Sequence, residues 1–143
     1  MFKTQQDQDI DTMAKTIWAE ARGEGLTGMR AVGLVILNRY KISKKKGGYW
    51  WGNTITDICK KPYQFSCWNK DDANYKKIMN ISLSDDYFVI AKRIASRIIR
   101  ADKIDDITKG ADHYHTTAVM PRWMDIQKQV NHIGNHIFYK LVN

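Results

Sequence analysis

Glu20 has the surroundings that most suggest a chemical role. It stands in the run Ile17-Trp18-Ala19-Glu20-Ala21-Arg22-Gly23-Glu24-Gly25. On a helix turning ~100° per residue, Glu20 lies about 20° from Met13, at the edge of an apolar stripe. A carboxyl in that setting is partly desolvated, which raises its pKa and suits it to donate a proton near neutral pH. The competing reading is a stripe-edge carboxylate that reaches solvent or pairs with Arg22 or Lys15. Glu24 follows four residues on, past a glycine expected to break the helix. It would serve as a second acid, as a hydrogen-bond acceptor in a cleft, or as the cap of the next helix.

Two other groups stand out. Tyr63-Gln64-Phe65-Ser66-Cys67-Trp68 mixes aromatic faces with an amide and a hydroxyl on an expected loop. Sugar rings are bound by such sets, an aromatic stacking on the apolar face while an amide reads hydroxyls. The alternative is a loop whose aromatics tuck into the core. All four histidines fall after residue 112. His113 and His115 alternate along an expected strand and would point the same way, while His132 and His136 would share a helix face. Neither pair has a third ligand at metal-site spacing, so no metal ion and no cofactor is expected.

The elements that must position these residues are mostly helical. Ile10, Met13, Ala14, Ile17, Trp18 and Ala21 form one amphipathic stripe, with Asp7, Asp9 and Asp11 at the start suited to capping and the helix dipole. Gly23 and Gly25 end it. A second helix, capped by Thr27, runs to about Tyr40. Its run Ala31–Leu37 is apolar nearly all round, the mark of a buried central helix. A Lys-rich turn and Tyr49-Trp50-Trp51 follow. Residues 53–60 and 71–79 read as short helices, and 62–68 as loop. Ser84 with Asp85 and Asp86 opens a long helix with Phe88, Ala91, Ile94, Ala95, Ile98 and Ile99 as its stripe. Residues 110–120 are strand-like. The expected fold is mainly α with a small extended element, in one domain spanning 1–143.

Composition narrows the partners. The chain of 143 residues is 43% hydrophobic and carries +8, with a pI near 9.5. Residues 21–61 hold nine basic residues against Glu24 and Asp57, a local +7. Such a lobe favours a polyanion: nucleic acid, anionic lipid or a wall polymer. No apolar run reaches the ~18 residues of a membrane span. The polar start lacks the apolar core of a signal peptide, so synthesis in the cytoplasm is expected. Cys59 and Cys67 are expected to be free thiols there, and to be able to pair outside it.

The stretches Ile17–Gly25 and Gly28–Arg39, with Gln64–Trp68, Gly110–His115 and Ile133–Tyr139, occur in an order that resembles the SleB/CwlJ-type cell wall hydrolases, the family of the spore-cortex-lytic enzymes. The resemblance spans residues 11–140. It implies a lysozyme-like fold and cleavage of the β-1,4 bond between N-acetylmuramic acid and N-acetylglucosamine, by lytic transglycosylation in the spore enzymes. Glu20 matches the family's catalytic acid, though Ala19 stands where Gly is usual. His115 occupies a position where Tyr or Asn is frequent.

Carried over residue by residue, the substrate contacts are Glu24, Gln64, Phe65, Ser66, Trp68, His113, Tyr114 and His115. The implied partner is the peptidoglycan glycan strand, met by a monomer, with anionic wall polymers as a second attraction. The small basic form is closer to a phage endolysin than to the longer spore enzymes. Three alternatives remain at this stage: a muramidase with a second carboxylate, a zinc amidase using the histidines, and a nucleic-acid-binding module stacking bases on Tyr49, Trp50 and Trp51.

Overall fold

The computed structural model describes residues 2–143. Helix α1 spans Gln5–Ala21, and Thr4 caps it by accepting the Asp7 amide at 3.0 Å. The acidic start therefore divides its work. Asp7 lies in the first turn, where the dipole favours a negative charge. Asp9 is buried and accepts both the Thr56 amide (3.0 Å) and hydroxyl (2.7 Å), so it ties α1 to α3, Ile55–Lys60. Asp11 pairs with Lys15 at 3.0 Å.

Helix α2 is longer at both ends than the sequence pattern suggested, running Gly25–Lys46. Gly25, at φ 77°, turns the chain straight into the helix, so Thr27 is not its cap. The lysine run is not a turn but the last helical turn. Cations are favoured at a helix C-terminus, and Gly47 at φ 73° closes the end. Met29, Val32, Leu34, Val35 and Ile36 are all buried, as expected of a central helix. The close crossing depends on Gly33. A Cβ there would meet the Ile98 Cδ1 at 2.6 Å and the Ile17 Cδ1 at 3.0 Å.

Helix α4 covers Ala73–Asn80 and α5 covers Asp86–Arg100, capped by Asp85 rather than Ser84. Asp85 also accepts the Trp18 indole N–H at 3.0 Å, joining the end of α1 to the start of α5. Strand β1 spans His113–Thr116, the middle of the stretch 110–120 expected to be strand-like, and 117–120 are not strand. Strands β2, Gln129–Ile133, and β3, His136–Tyr139, form a hairpin, so His132 and His136 do not share a helix face. The cause is Gly134 at φ 58°, which turns the chain between them. The sheet is antiparallel in the order β1-β3-β2. Helices α1, α3 and α5 pack on one side of α2. On the other, Ala31 and Val35 meet Ala111 and Phe138 beneath the sheet.

Candidate active site

Glu20 sits on the last turn of α1, and the Tyr114 hydroxyl of β1 donates to its Oε1 at 2.8 Å. Burial raises the pKa of Glu20. The hydrogen bond from Tyr114 acts the other way, and the charge of Asp72, the cap of α4, adds to the rise. Desolvation wins, so Glu20 holds its proton above the ordinary carboxylate range. Burial and the facing Glu20 push the Tyr114 hydroxyl well above the usual phenol range, and it remains a donor. Neither cation weighed as a partner takes Glu20. Lys15 pairs with Asp11, and Arg22 stacks 3.9 Å over Trp18 and donates to the Trp18 carbonyl.

Helix α2 holds Tyr114 in place through two buried polar residues, Asn38 and Arg39. Asn38 donates to the Ala111 carbonyl at 2.9 Å and Arg39 to the Asp112 carbonyl at 2.7 Å, fixing the entry to β1. Arg39 also donates to Gln64 Oε1 at 3.1 Å and lies over the rings of Trp51 and Phe65. Its burial pulls the guanidinium down to about 10. One helix turn thus secures both the strand and the loop that approach Glu20. Arg39, counted in the basic lobe from sequence, is not a surface charge.

The expected sugar-binding loop is held mostly by its own side chains. Gln64 serves Arg39, and Phe65 is buried 6.4 Å from the Tyr114 ring, with no face left for a sugar. Trp68 donates its indole N–H to Thr16 at 2.9 Å but keeps part of its ring accessible, and Ser66 is exposed. Tyr63, the first residue of that run, is held at φ 67° with its side chain out in solvent. A bulky residue in the left-handed region costs of order 1–3 kcal/mol. The sequence pattern gave no signal for that conformation. Cys59 and Cys67 are buried free thiols.

Glu24 stands at the N-cap position of α2 without a side-chain capping bond, because its carboxylate reaches the β2–β3 turn, 111 residues away. It accepts the Asn135 amide at 2.9 Å and the Asn135 side chain at 3.0 Å, and these bonds lower its pKa. A Cβ on Gly28 would collide with the Cβ of Glu24, so this packing needs glycine there. His113 and His115 point away from Glu20, because alternation along β1 sends Tyr114 to one face and its neighbours to the other. His113 meets Asp112 at 2.7 Å and Trp123 at 5.0 Å, and His115 meets the Tyr139 hydroxyl at 2.7 Å. They are therefore not placed with Tyr114 as cleft residues.

His136 is the histidine that shares the Tyr114 face, with ring centroids 4.8 Å apart. It is buried, and its Nδ1 has no partner among the described residues. Burial lowers its pKa, against the pull of Glu24. Among the described residues no group of three His, Cys, Asp or Glu is placed to hold a metal ion.

Solved structures share this arrangement of helices and sheet. The catalytic domain of the germination-specific lytic transglycosylase SleB from Bacillus anthracis is 28% identical, with a TM-score of 0.66 over 92% of this chain and 93% of that one. The Bacillus cereus SleB catalytic domain is 26% identical, with a TM-score of 0.68 over 96% and 91%. The fold is thus lysozyme-like, as the motif order implied. No curated protein matches the sequence. The family described as Cell Wall Hydrolase matches residues 23–139. With the ordered motifs, the fold and that match in agreement, the chain belongs to the cell wall hydrolase family.

Proposed function

We propose that this protein is a peptidoglycan lytic transglycosylase that cleaves the β-1,4 bond after N-acetylmuramic acid, with Glu20 as both acid and base. The protein is an enzyme that degrades peptidoglycan; the bond, the mechanism and the residue are the proposal. The observation that carries it is the Tyr114 hydroxyl donating at 2.8 Å to Glu20, a half-buried carboxyl whose pKa desolvation raises. The similar SleB domain is itself described as a lytic transglycosylase.

The steps follow from one carboxyl group. Glu20 gives its proton to the glycosidic oxygen as the bond to the anomeric carbon breaks. The muramic C6 hydroxyl then attacks that carbon, and its proton passes to the Glu20 carboxylate. A 1,6-anhydro ring forms, Glu20 is protonated again, and no water is consumed. Tyr114 has a place in both halves. Its donated hydrogen bond steadies the carboxylate after the first transfer without removing the acid before it. Exposed Ser66 and the accessible part of Trp68 are left to meet the glycan. The lysines ending α2 attract the anionic wall.

Hydrolysis through a second carboxylate is the other reading. It is favoured by Asp72, whose charge reaches Glu20, and not by Glu24, whose two oxygens are held by Asn135. Mass spectrometry of fragments released from purified peptidoglycan separates the outcomes. Anhydro ends are expected, whereas reducing ends with incorporated solvent oxygen would overturn the transglycosylase reading. Freed peptides would overturn glycosidic cleavage altogether.

A further inference from the structure

A groove of about 1320 Å³ opens between α1, the start of α2 and α5, and it shares no lining residue with Glu20, Glu24, Gln64 or Tyr114. Its accessible apolar surface comes from half-buried Ile94 and Ile104, with the core residues Ile10 and Ile98 beneath them, and Leu26 stands 61% exposed at one wall. Four arginines, Arg30, Arg93, Arg97 and Arg100, also line it. None of the four has an ion-pair partner among the described residues. Asp7 lines the groove as well. Lys92 is met by Asp11 at 3.7 Å.

The fold explains only part of this charge. Arg97 and Arg100 suit the C-terminus of α5, where the dipole favours cations. Arg93 lies mid-helix four residues before Arg97, a like-charge spacing that disfavours the helix. Arg30 comes from α2. Guanidinium groups offer forked donors that match carboxylates in pairs. The volume exceeds the roughly 300–1,000 Å³ of small-molecule sites. An isoleucine surface gives nothing to a bare phosphate chain or a sugar polyanion. A concave groove bounded by α1, α2 and α5 fits a rod-shaped helix better than a flat layer of headgroups.

What matches is a polypeptide with an apolar stripe and acidic flanks. We propose that this groove docks an acidic amphipathic helix of a partner protein. Its apolar face would lie on Ile94, Ile104 and Leu26 while its carboxylates pair with the arginines.

The proposal is tested with the full chain and a synthetic Leu/Glu amphipathic helical peptide, following isoleucine methyl resonances and fluorescence polarisation. Saturable binding that shifts the Ile94 and Ile104 methyls is expected. Replacing Glu by Gln, or Leu by Ser, in the peptide weakens binding by about tenfold or more, and so does Arg93→Glu with Arg97→Glu in the protein. Wall lysis by that double variant stays at the wild-type rate. Arg30→Gln, on a different helix, gives the same direction of change should the double variant lose its fold. The proposal is overturned by absence of saturable shifts, by equal binding of the Ser-substituted peptide, or by affinity unchanged in the variants. Binding to phosphatidylglycerol vesicles without binding to the peptide would overturn it in favour of a lipid surface.

Discussion

Glu20 and Glu24 stand four residues apart and end in different environments. Glu20 is half-buried and faces the Tyr114 hydroxyl and the charge of Asp72, and desolvation raises its pKa. Glu24 is also half-buried, but two donors from Asn135 hold it and lower its pKa. The chemistry of the side chain is the same in both. The direction of each pKa shift is therefore set by what the carboxyl is packed against, and not by residue type or by nearness along the chain.

The largest effect expected from this contrast is on rate. Glu20→Gln should lose ~10²–10⁴ of wall lysis, the usual worth of a positioned general acid, while circular dichroism stays unchanged. Glu24→Gln should lose less than about tenfold, since Glu24 grips a hairpin turn rather than a scissile bond. Equal losses in turbidity assays would erase the distinction.

Tyr114→Phe comes next. A hydrogen bond to a charged group contributes about 1.5–3 kcal/mol, so a rate loss of roughly tenfold or more is expected. The alkaline limb of the pH–rate profile reports Glu20 losing its proton. Removing a bond that lowers the Glu20 pKa should move that limb to higher pH. A limb that stays put would detach Tyr114 from the acid.

The Glu20 side also rests on Arg39. Gln64→Ala leaves a buried guanidinium short of one acceptor and should cost about 1–3 kcal/mol in denaturant unfolding. Unchanged stability would return Gln64 to the cleft as a free amide.

The two carboxyls should also give melting temperatures of opposite sign. A raised folded pKa contributes stability below the unfolded value, about 4.3, and loses it as pH rises through the folded value. Glu20→Gln should therefore melt above the wild type at neutral pH, with the gap closing in acid. A depressed folded pKa contributes above the unfolded value and is lost as pH falls through the folded one. Glu24→Gln should melt below the wild type at neutral pH and match it in acid. Calorimetry across pH checks both signs.

The smallest effect concerns the surface. Replacing Lys44, Lys45 and Lys46 by Gln should slow lysis at low salt, change little at high salt, and leave stability nearly as it was. Equal rates at every salt concentration would reduce the run to a favourable helix end.

Local periodicity made several elements legible before any tertiary structure. The stripe from Ile10 to Ala21, the all-round apolar run in α2 and the stripe of α5 each need only neighbours three and four residues apart. The place of Glu20 on the stripe edge was legible for the same reason, since it follows from helix geometry. Strand alternation likewise puts Tyr114 opposite His113 and His115, although it does not say which face meets Glu20. The spacing of His132 and His136 suits a helix or a hairpin equally, and Gly134 decides it by turning the chain.

What the sequence by itself determined was the helical framework, the family motifs and the one carboxyl set on an apolar edge. Only the tertiary structure decided that Arg39 is an internal anchor, that Glu24 belongs to Asn135, and that arginines from α2 and α5 line one groove. The physical reason is separation along the chain. Burial, ion pairing and the pKa of a carboxyl depend on groups brought together from as far as 111 residues apart, and no local pattern records which group will arrive.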